Sequence, residues 1–541
     1  MTSKKQCFVH PTSTWATFYD RRNCHITKLY DFEGHSYCVL HLPDDSKGQT
    51  TDFNAVIKQK LDSQENDFSW VYFPDHFDIG RGHAFAGYTS FQHATFKKQA
   101  FFWDAKFEKE TFFMEITFKG EARFSFASFS SSAYFQRSEF FALADFSFAK
   151  FAGMAEFREC AFADVVNFES SRFKDRADFA PIHGIDAENP MQHQLKPIPD
   201  AKFSQAEFEA DASFRSSLFT KVKFFLTEFK SDADFWAMEI HSEGDFHKAR
   251  FNQTANFTHL FLKAGAVAEF RQAVFKESVY FDNRFWGDDF ADASLTFADA
   301  IAEQPERFRF HSLVLRPHWF INFDCRKVDF TNVYWINSHG TVAEIKKELQ
   351  SISEQQGPFN IRHVSEPDSY RLLTYTYREL AENYENRQRF MLASRFRRAA
   401  HEIQTLYRKK AQLEWLREEF LTWEFFRTLW EKVKEAPFDL AYFLYRISSF
   451  YGESSMRALL VLLLIVGVVM VLLSIPASTF KDGQHLSLWE SFLYSLRLIV
   501  LQRPEPLPES GLAKTVTTFG SLLAPVQFAL LALALRRKFV R

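Results

Sequence analysis

The sequence predicts a mostly β chain in which a stacked-coil solenoid is followed by a helical connector and two membrane-spanning helices. Three observations lead to this prediction. The 541 residues include 67 Phe but only 18 Gly, so one residue type repeats one structural role. The Phe recur at alternating intervals of five and six residues through a long central stretch. Two long apolar runs without charged residues then follow near the C-terminus.

The chain exceeds the size of a single domain, which has about 100 to 200 residues. Shifts in composition divide it into an N-terminal capping region (1–90), a β-helix (91–335), a helical connector (336–455) and a two-span membrane module (456–541). The formal net charge of −3 predicts no general affinity for nucleic acid. Five Cys are too few for a disulfide framework and no secretory signal opens the sequence, so we expect the N-terminal bulk in a reducing cytoplasm.

The capping region contains Cys and His at short spacings that are typical of a metal site. Cys7 and His10 form one Cys-x-x-His pair, Cys38 and His41 form a second, and Cys24 lies between them. Thiolates and imidazoles at such spacings suit a structural zinc ion. The alternative is that these are ordinary buried residues of a capping fold. We expect no other cofactor.

The Phe series of the β-helix continues without a gap from Phe91 to Phe179. Two residues before most of these Phe lies a small residue, as Ala144 lies before Phe146. An α-helix would place successive members about 140° apart on its surface, so no single stripe results. A continuous strand fails as well, because a five-residue step sends alternate Phe to opposite faces. The chain must therefore turn once per unit, with Phe pointing inward and coils stacking at about 4.8 Å.

The repeat from Ala144 to Phe151 resembles the pentapeptide-repeat family, in its phenylalanine-rich branch. This resemblance implies a right-handed, four-sided β-helix with about 22 residues per coil. The series resumes at Phe203 and fades towards Trp335. The Pro-rich stretch 181–199 reads as a loop thrown out of one coil, either a tolerated insertion or a binding loop.

Helical patterning replaces the Phe repeat in the connector, with helices predicted over 369–381 and 387–434. The second helix is locally basic, which has three interpretations: a solvated helix face, contact with anionic lipid headgroups, or nucleic-acid binding. No nucleic-acid motif accompanies the charge, so nucleic acid is not an expected partner. The lipid-contact candidates are Arg395, Arg397, Arg398, Arg408, Lys409 and Lys410.

The runs Ala458–Ile475 and Thr515–Leu535 are each long enough to cross a bilayer. Arg457 precedes the first run and Arg536 follows the second. Because cytoplasmic flanks of membrane spans are enriched in Lys and Arg, we expect both ends in the cytoplasm of a bacterium, with the spans in its inner membrane.

A short amphipathic segment between the two runs is similar to the pore helix in the two-span pore module of potassium-channel-like proteins. That resemblance implies a homo-tetramer. It is incomplete, since no Thr-Val-Gly-Tyr-Gly occupies the place of the selectivity filter, and potassium selectivity is not expected. The alternative is a periplasmic amphipathic hairpin between two anchors. The pore-loop candidates are Phe492, Tyr494, Ser495, Leu501, Gln502, Arg503 and Pro504.

The sequence contains no phosphate-binding Walker loop, nucleophile elbow, zinc-protease motif or dinucleotide-binding glycine motif, so we expect no enzyme. Three functions stay open. The first is an ion-channel-like membrane protein whose cytoplasmic β-helix acts as a sensor or docking platform for an unknown protein or ligand. The second is a non-conducting scaffold tethered to the membrane. The third is a DNA mimic that inhibits a topoisomerase. It is the least favoured, because many Lys and Arg are interspersed among the acidic residues of the repeat and reduce its negative charge.

Overall fold

A computed structural model describes Cys7, Tyr445, Ser448 and the ranges 28–185, 196–282, 293–354, 366–418, 455–502 and 505–539. The chain divides into two compact units, Met1–Ile336 and Asn337–Arg541. Each unit is described by itself.

The first unit is a β-solenoid whose coils have four faces of short parallel strands. Face I consists of Tyr72–Phe73, Thr95–Phe96, Thr117–Phe118, Glu139–Phe140, Ala161–Phe162 and His183–Gly184. Face II consists of Phe77–Asp78, Ala100–Phe101, Ala122–Arg123, Ala144–Asp145, Val166–Asn167, Ala201–Lys202, Leu218–Lys223, Glu239–Asp245, Val267–Glu269 and Ser294–Thr296, with Phe261–Leu262 paired beside it. Face III consists of Ala84–Phe85, Lys106–Phe107, Ser128–Phe129, Lys150–Phe151, Arg172–Phe173, Glu207–Phe208, Glu228–Phe229, Arg250–Phe251, Val274–Phe275 and Ile301–Ala302. Face IV consists of Thr89–Ser90, Thr111–Phe112, Ala133–Tyr134, Ala155–Glu156, Ala177–Asp178, Ala212–Ser213, Ala233–Asp234, Ala255–Asn256, Val279–Asp282, Phe308–His311 and Asp329–Thr331.

Equivalent Phe rings stack directly upon one another from coil to coil, which confirms the predicted stacked-coil β-solenoid. The rings of Phe113 and Phe135 are 4.8 Å apart at their centroids and tilted by only 2°. Within a coil the rings meet edge to face, as Phe113 and Phe124 do at 88°. All three rings are fully buried. Both arrangements are preferred aromatic geometries, so the core is held by one interaction repeated along the axis.

Two kinds of corner explain the alternating intervals. In a five-residue interval the chain closes a hydrogen-bonded turn, in which the N–H of Ala105 donates to the carbonyl oxygen of Phe102 at 3.2 Å. The third residue of this turn, Asp104, has a left-handed backbone with φ of 57°, and the next such residue, Glu115, lies eleven positions later. The six-residue intervals between 91 and 179 contain no residue with positive φ. Without the left-handed residue, the corner takes one more residue to turn the chain.

The N-terminal end of the solenoid is covered by a β-hairpin and two helices. The hairpin pairs β1 (Leu29–Phe32) with β2 (His35–Cys38), and α1 (Lys47–Thr50) and α2 (Phe53–Asp62) follow. The ring of Phe53 packs edge-on against Phe73 in the first strand of face I, with centroids 5.9 Å apart. The stacked strands begin at Tyr72, before the expected boundary at residue 90, because Ile79 in the first coil stands where Phe102 stands in the next and interrupts the Phe series.

The loop predicted over 181–199 is shorter than expected, because His183–Gly184 belongs to face I and Ile198 forms a parallel bridge with Phe219 of the next coil. The N–H of Gly184 donates to the carbonyl oxygen of Lys196, and Val166 pairs with Ala201 in the next coil. Residues 186–195 lie outside the described residues. Further along, Leu218–Lys223 extends through a corner and merges faces I and II. The two-stranded sheet Val314–Leu315 with Tyr334–Trp335 ends the solenoid, together with short 3-10 helices at Pro305–Arg307 and Pro317–Phe320.

The second unit is helical, with α3 (Val342–Glu354), α4 (Glu366–Asn386) and α5 (Phe390–Glu418) as its connector helices. The fully buried Ala399 of α5 lies so close to Gly340 that a Cβ there would be 2.7 Å from it, so only glycine fits. The hydroxyl of buried Tyr377 donates to the carbonyl oxygen of Asn337 at 2.9 Å. Helix α5 begins three residues later than predicted, and residues 419–434 of that prediction lie outside the described residues.

The C-terminal part of this unit contains α6 (Ser455–Ser474), α7 (Leu488–Ile499) and α8 (Gly511–Phe539), with a 3-10 turn at Lys481–Gly483. Helices α6 and α8 are long and apolar enough to cross a membrane, with mean hydropathy values of 2.9 and 1.8. They are antiparallel, because Ala458 at the start of α6 packs with Leu531, whereas Leu473 at its end packs with Ala513.

Candidate functional site

The short helix α7 packs against α6 and α8 through one face, which includes hydroxyl-bearing side chains. Ser487 and Glu490 begin the helix with a reciprocal capping box, in which the Glu490 N–H donates to the Ser487 hydroxyl and the Ser487 N–H donates to the Glu490 carboxylate. Its buried face consists of Ser491, Tyr494, Ser495 and Leu498. Two of the pore-loop candidates, Tyr494 and Ser495, therefore face the spans. Phe492 is half-buried and lies 5.5 Å from the ring of Trp489.

Helix α7 runs along the spans instead of lying flat at their ends. Its first residues lie near Phe480 and Leu473, while Ile499 at its end packs on the cluster of Ala458, Leu462 and Leu531. Leu462 is 11 residues from Leu473, or about 16 Å along a helix. Since a 20-residue span is about 30 Å long, α7 reaches about halfway across it.

The described residues directly after α7, Leu501 and Gln502, end the helix and belong to no strand. The N–H of Leu501 donates to the carbonyl oxygen of Leu498 at 3.2 Å, and the N–H of Gln502 donates to that of Arg497 at 3.1 Å. These two bonds are a Schellman C-cap, with Leu501 left-handed at φ 59°. Leu501 and Gln502 are exposed. Arg503 and Pro504 lie outside the described residues.

From this cap the chain returns to the end of the spans where it entered. The N–H of Lys481 donates to the carbonyl oxygen of Leu507 at 2.9 Å, and Phe480 forms an antiparallel bridge with Pro508. Residues 501–502 and 505–507 belong to no helix or strand. Along the chain, α6 is followed by α7, then by the described residues 501–502 and 505–507, and then by α8.

The outer surfaces of the three helices are mainly apolar, with the exposed Glu490 and Arg497 of α7 among the charged exceptions. On α6 the exposed side chains include Leu460, Leu463 and Leu464, and on α8 they include Phe519 and Leu522. The outward side of α7 carries Leu488, Trp489, Leu493, Leu496 and Val500. A contiguous apolar surface of this size requires lipid or protein around it.

One buried polar residue of α8 was not predicted from the sequence. Gln527 of α8 is buried, and its amide donates to the carbonyl oxygens of Ala458 and Ser448 at 2.8 and 2.9 Å. It joins the two spans at the end opposite to the entrance of α7. A lone amide inside an apolar run was the signal that could have found it, since such groups are kept in membranes for helix–helix contacts.

Some basic residues of α5 make contacts within the protein, and others are exposed. Arg397 pairs with Glu385 of α4, so its charge is satisfied within the helix pair. Arg395 and Arg398 are half-buried, and the Nε of Arg398 donates to the Ser394 carbonyl oxygen at 3.4 Å. Arg408 and Lys409 are exposed and Lys410 is half-buried. Contact of these residues with lipid remains a prediction.

The N-terminal cap brings three of the five predicted metal ligands together. The Sγ atoms of Cys7 and Cys38 and the Nδ1 of His41 all lie within 4.8 Å of one another. Cys38 and His41 are buried and Cys7 is half-buried. His10 and Cys24 lie outside the described residues. Among the residues that the structure describes, this is the only group of three or more such side chains with metal-ligand geometry.

No family model, curated protein or solved structure matches the chain. Function must therefore be argued from the two sites themselves.

Proposed function

We propose that this is an oligomeric, channel-like membrane protein whose β-solenoid serves as a sensor or docking platform for a cytoplasmic partner. The observation that carries the proposal is the re-entrant path from α7 through Leu501 and Gln502 to Leu507. In hydrocarbon, non-helical backbone is tolerated only where protein covers it or where it lines water, because unpaired N–H and C=O groups have no other partner. An isolated pair of spans offers neither environment to the exposed cap.

A second copy of the chain meets this requirement. Two spans cannot enclose a pore, so a conducting form requires several copies arranged around an axis. The exposed apolar residues of α7, such as Trp489 and Leu493, then pack on the neighbouring copies, and the residues directly after α7 face the axis. The pentapeptide-repeat and pore-module resemblances belong to the same proposal, and the pore-module resemblance favours a tetramer.

The proposal does not include potassium selectivity. A potassium filter presents a row of carbonyl oxygens from a Gly-rich strand. In this chain the N–H groups of Leu501 and Gln502 are bonded to the last turn of α7 instead. Any conducted species is selected by side chains at this level, where Gln502 offers an amide.

The orientation of the spans follows from the hairpin. Arg457 at the start of α6 and Arg536 near the end of α8 lie at the same end, because the helices are antiparallel. By the positive-inside tendency we place this end in the cytoplasm of a bacterium. A reporter that is fluorescent only in the cytoplasm, fused after Arg541, is expected to be active; activity of a periplasmic phosphatase fused there would contradict this orientation.

Cysteine accessibility tests the pore directly. In reconstituted vesicles, Gln502→Cys is expected to react with a charged, water-soluble thiol reagent at least tenfold faster than Leu464→Cys, which faces outward on α6. The parent protein gives the background of the native cysteines. Planar-bilayer recording and the mass of the detergent-solubilised particle complete the test. Equal labelling of both variants, no conductance and a monomeric mass would together overturn the proposal.

A non-conducting scaffold is the second candidate, and the capped end of α7 favours it because no row of carbonyl oxygens is presented. It predicts that the protein fractionates with membranes, that Gln502→Cys is protected, and that bilayers stay silent. A conductance that appears with the purified protein and is blocked by the thiol reagent at Gln502→Cys would eliminate this alternative.

A further inference from the structure

The N-terminal cap contains a second site, which is separate from the membrane module. Cys38 is the last residue of β2, and His41 follows in a turn in which the His41 N–H donates to the Cys38 carbonyl oxygen at 3.1 Å. Cys7 reaches the same point from 31 residues upstream, and its Sγ accepts a hydrogen bond from the Cys38 N–H at 3.1 Å. Three soft ligand atoms from two chain segments thus converge.

The distances fit the edges of a tetrahedral zinc site. Zn–S bonds of about 2.3 Å and Zn–N bonds of about 2.0 Å, at tetrahedral angles, place neighbouring ligand atoms about 3.5 Å apart. The Nδ1 of His41 lies 3.2 Å from the Sγ of Cys38 and 3.6 Å from the Sγ of Cys7. Both sulfur–nitrogen separations therefore fit such a site, and the two sulfur atoms lie within 4.8 Å of each other.

The surroundings orient the imidazole for metal binding through Nδ1. Its other nitrogen, Nε2, lies 3.3 Å from the carbonyl oxygen of Ser69. A carbonyl oxygen only accepts hydrogen bonds, so the proton sits on Nε2 and the lone pair of Nδ1 points at the two sulfur atoms. A backbone partner of this kind is typical of metal-bound histidines.

We propose that Cys7, Cys38 and His41 bind a structural zinc ion that fixes the N-terminal cap on the solenoid. Two thiolates and one imidazole form a soft donor set that selects zinc over the hard cations calcium and magnesium. On binding, the two thiols release their protons to solvent, so the two thiolates balance the charge of Zn²⁺. The fourth position is taken by water or by a further side chain.

The position of the site gives the ion its role. Ser69, which accepts from His41, lies beside the first coil, where its hydroxyl is 2.7 Å from that of Ser90. The next residue, Trp70, donates its N–H to the carbonyl oxygen of Gln92. Zinc would therefore hold the chain around Cys7 and the β1–β2 hairpin against the first coil of the solenoid. The first coil of a solenoid has strand edges with unpaired backbone N–H and C=O groups, which can pair with other chains unless a cap covers them. The metal ion would hold this cap in place.

Metal analysis of the purified full-length protein tests this proposal. Inductively coupled plasma mass spectrometry is expected to find about one zinc ion per chain. The zinc content of Cys38→Ser and of His41→Ala is expected to be at least tenfold lower. The matched control is Cys160→Ser. The buried thiol of Cys160 donates to the carbonyl oxygen of Phe135 at 2.9 Å. One coil earlier, the hydroxyl of Ser138 donates to the carbonyl oxygen of Phe113 in the same way. Serine at position 160 is therefore expected to preserve the contact, and the variant is expected to retain its zinc.

A measurement on the parent protein guards against variants that fail to fold. Exchange of zinc for cobalt is expected to produce a thiolate-to-cobalt charge-transfer band, and a mercurial thiol reagent is expected to release the metal. Zinc well below one per chain without a cobalt–thiolate band would overturn the proposal, as would a Cys7–Cys38 disulfide in the unreduced protein. The channel assays do not depend on this result, because the two sites belong to different units.

Discussion

The solenoid and the helices α6 and α8 are both rich in apolar side chains. In the solenoid these side chains face the interior, whereas in the two helices most of them face outward. Phe113, Phe124 and Phe135 turn inward and are fully buried. In the apolar stretches of α6 and α8, only 28% and 22% of the residues are buried. The same hydrophobic effect thus requires water around the solenoid and lipid or protein around the spans.

The two regions also pair their backbones differently. In the solenoid each coil bonds to the next, as Phe102 donates to the carbonyl oxygen of Arg123 at 2.8 Å. In α6 and α8 the backbone bonds stay within each helix, so only side chains can join the spans. The solenoid is therefore sensitive to the loss of one core ring, whereas the hairpin depends on a few specific contacts.

The largest expected effect comes from removing a ring of the solenoid core. Phe146 is fully buried between Phe124 and Phe168, with ring centroids 4.8 and 4.9 Å away. Phe146→Ala is expected to lower the free energy of unfolding by about 3 to 5 kcal/mol, because the stack cannot collapse into the cavity. Guanidinium unfolding followed by far-UV circular dichroism measures this in the full-length protein.

The control is Phe148→Ala, two residues away in the same coil. Phe148 is 46% exposed and stacks only on Phe126 at the surface. Its loss is expected to cost below about 1 kcal/mol. Equal effects of the two substitutions would show that the inward rings do not carry the stability of the coil.

Gln527→Leu tests the side-chain contacts between the spans. Losing the two bonds to Ala458 and Ser448 is expected to destabilise the hairpin by about 1 to 2 kcal/mol. Unfolding in increasing sodium dodecyl sulfate, followed by helical circular dichroism, measures the change. Ser521→Ala is the control, since its hydroxyl bonds only to Thr518 of its own helix. An unchanged Gln527→Leu protein would mean that the spans are held by apolar packing alone.

Leu501→Gly tests the cap of α7. Because a left-handed leucine costs about 1 to 2 kcal/mol and glycine adopts this conformation freely, the substitution is expected to stabilise the membrane module by about 1 kcal/mol. Leu496→Gly, at an exposed position inside the same helix, is expected to destabilise it by about 1 kcal/mol. The same detergent unfolding experiment reads both. Destabilisation by Leu501→Gly would contradict the Schellman geometry.

The smallest effect concerns the charge ladder on face III, where Glu207 lies between Arg172 and Lys230. The Arg172 Nε donates to the Glu207 carboxylate at 2.6 Å. Partial burial raises the pKa of Glu207, but the hydrogen bonds from Lys230 and Arg172 outweigh it, and the net pKa is lowered. This stabilisation is present above the unfolded pKa of about 4.3 and is lost as pH falls through the lowered folded value.

Glu207→Gln is therefore expected to lower the melting temperature slightly at pH 7, with a difference that shrinks towards about pH 3. Differential scanning fluorimetry over this range measures it. Glu108→Gln, at an exposed position that forms no ion pair with the described residues, is expected to show no such trend. A Glu207→Gln difference that grows on acidification would reverse the assigned sign.

The regular part of the fold was predictable because it repeats. Each Phe of the run 91–179 occupies the same environment, so the spacing alone excluded a helix and a flat strand. The first coil was not recognised, since Ile79 stands at the position of Phe102 in the next coil, and Phe77 stands at the position of Ala100. The left-handed corners were also hidden, because Asp104, Glu115 and Arg137 occupy them in place of Gly.

The sequence by itself determined the stacked coils and the two apolar spans, because periodicity and hydropathy act locally along the chain. Only the tertiary structure decided where separate segments meet. It brought Cys7 to Cys38 and His41, buried Gln527 against α6, and turned Leu501 and Gln502 into a helix cap instead of a filter. The first two contacts join residues more than 30 positions apart, which no local spacing encodes, whereas the cap is local but has no glycine at the left-handed position to announce it.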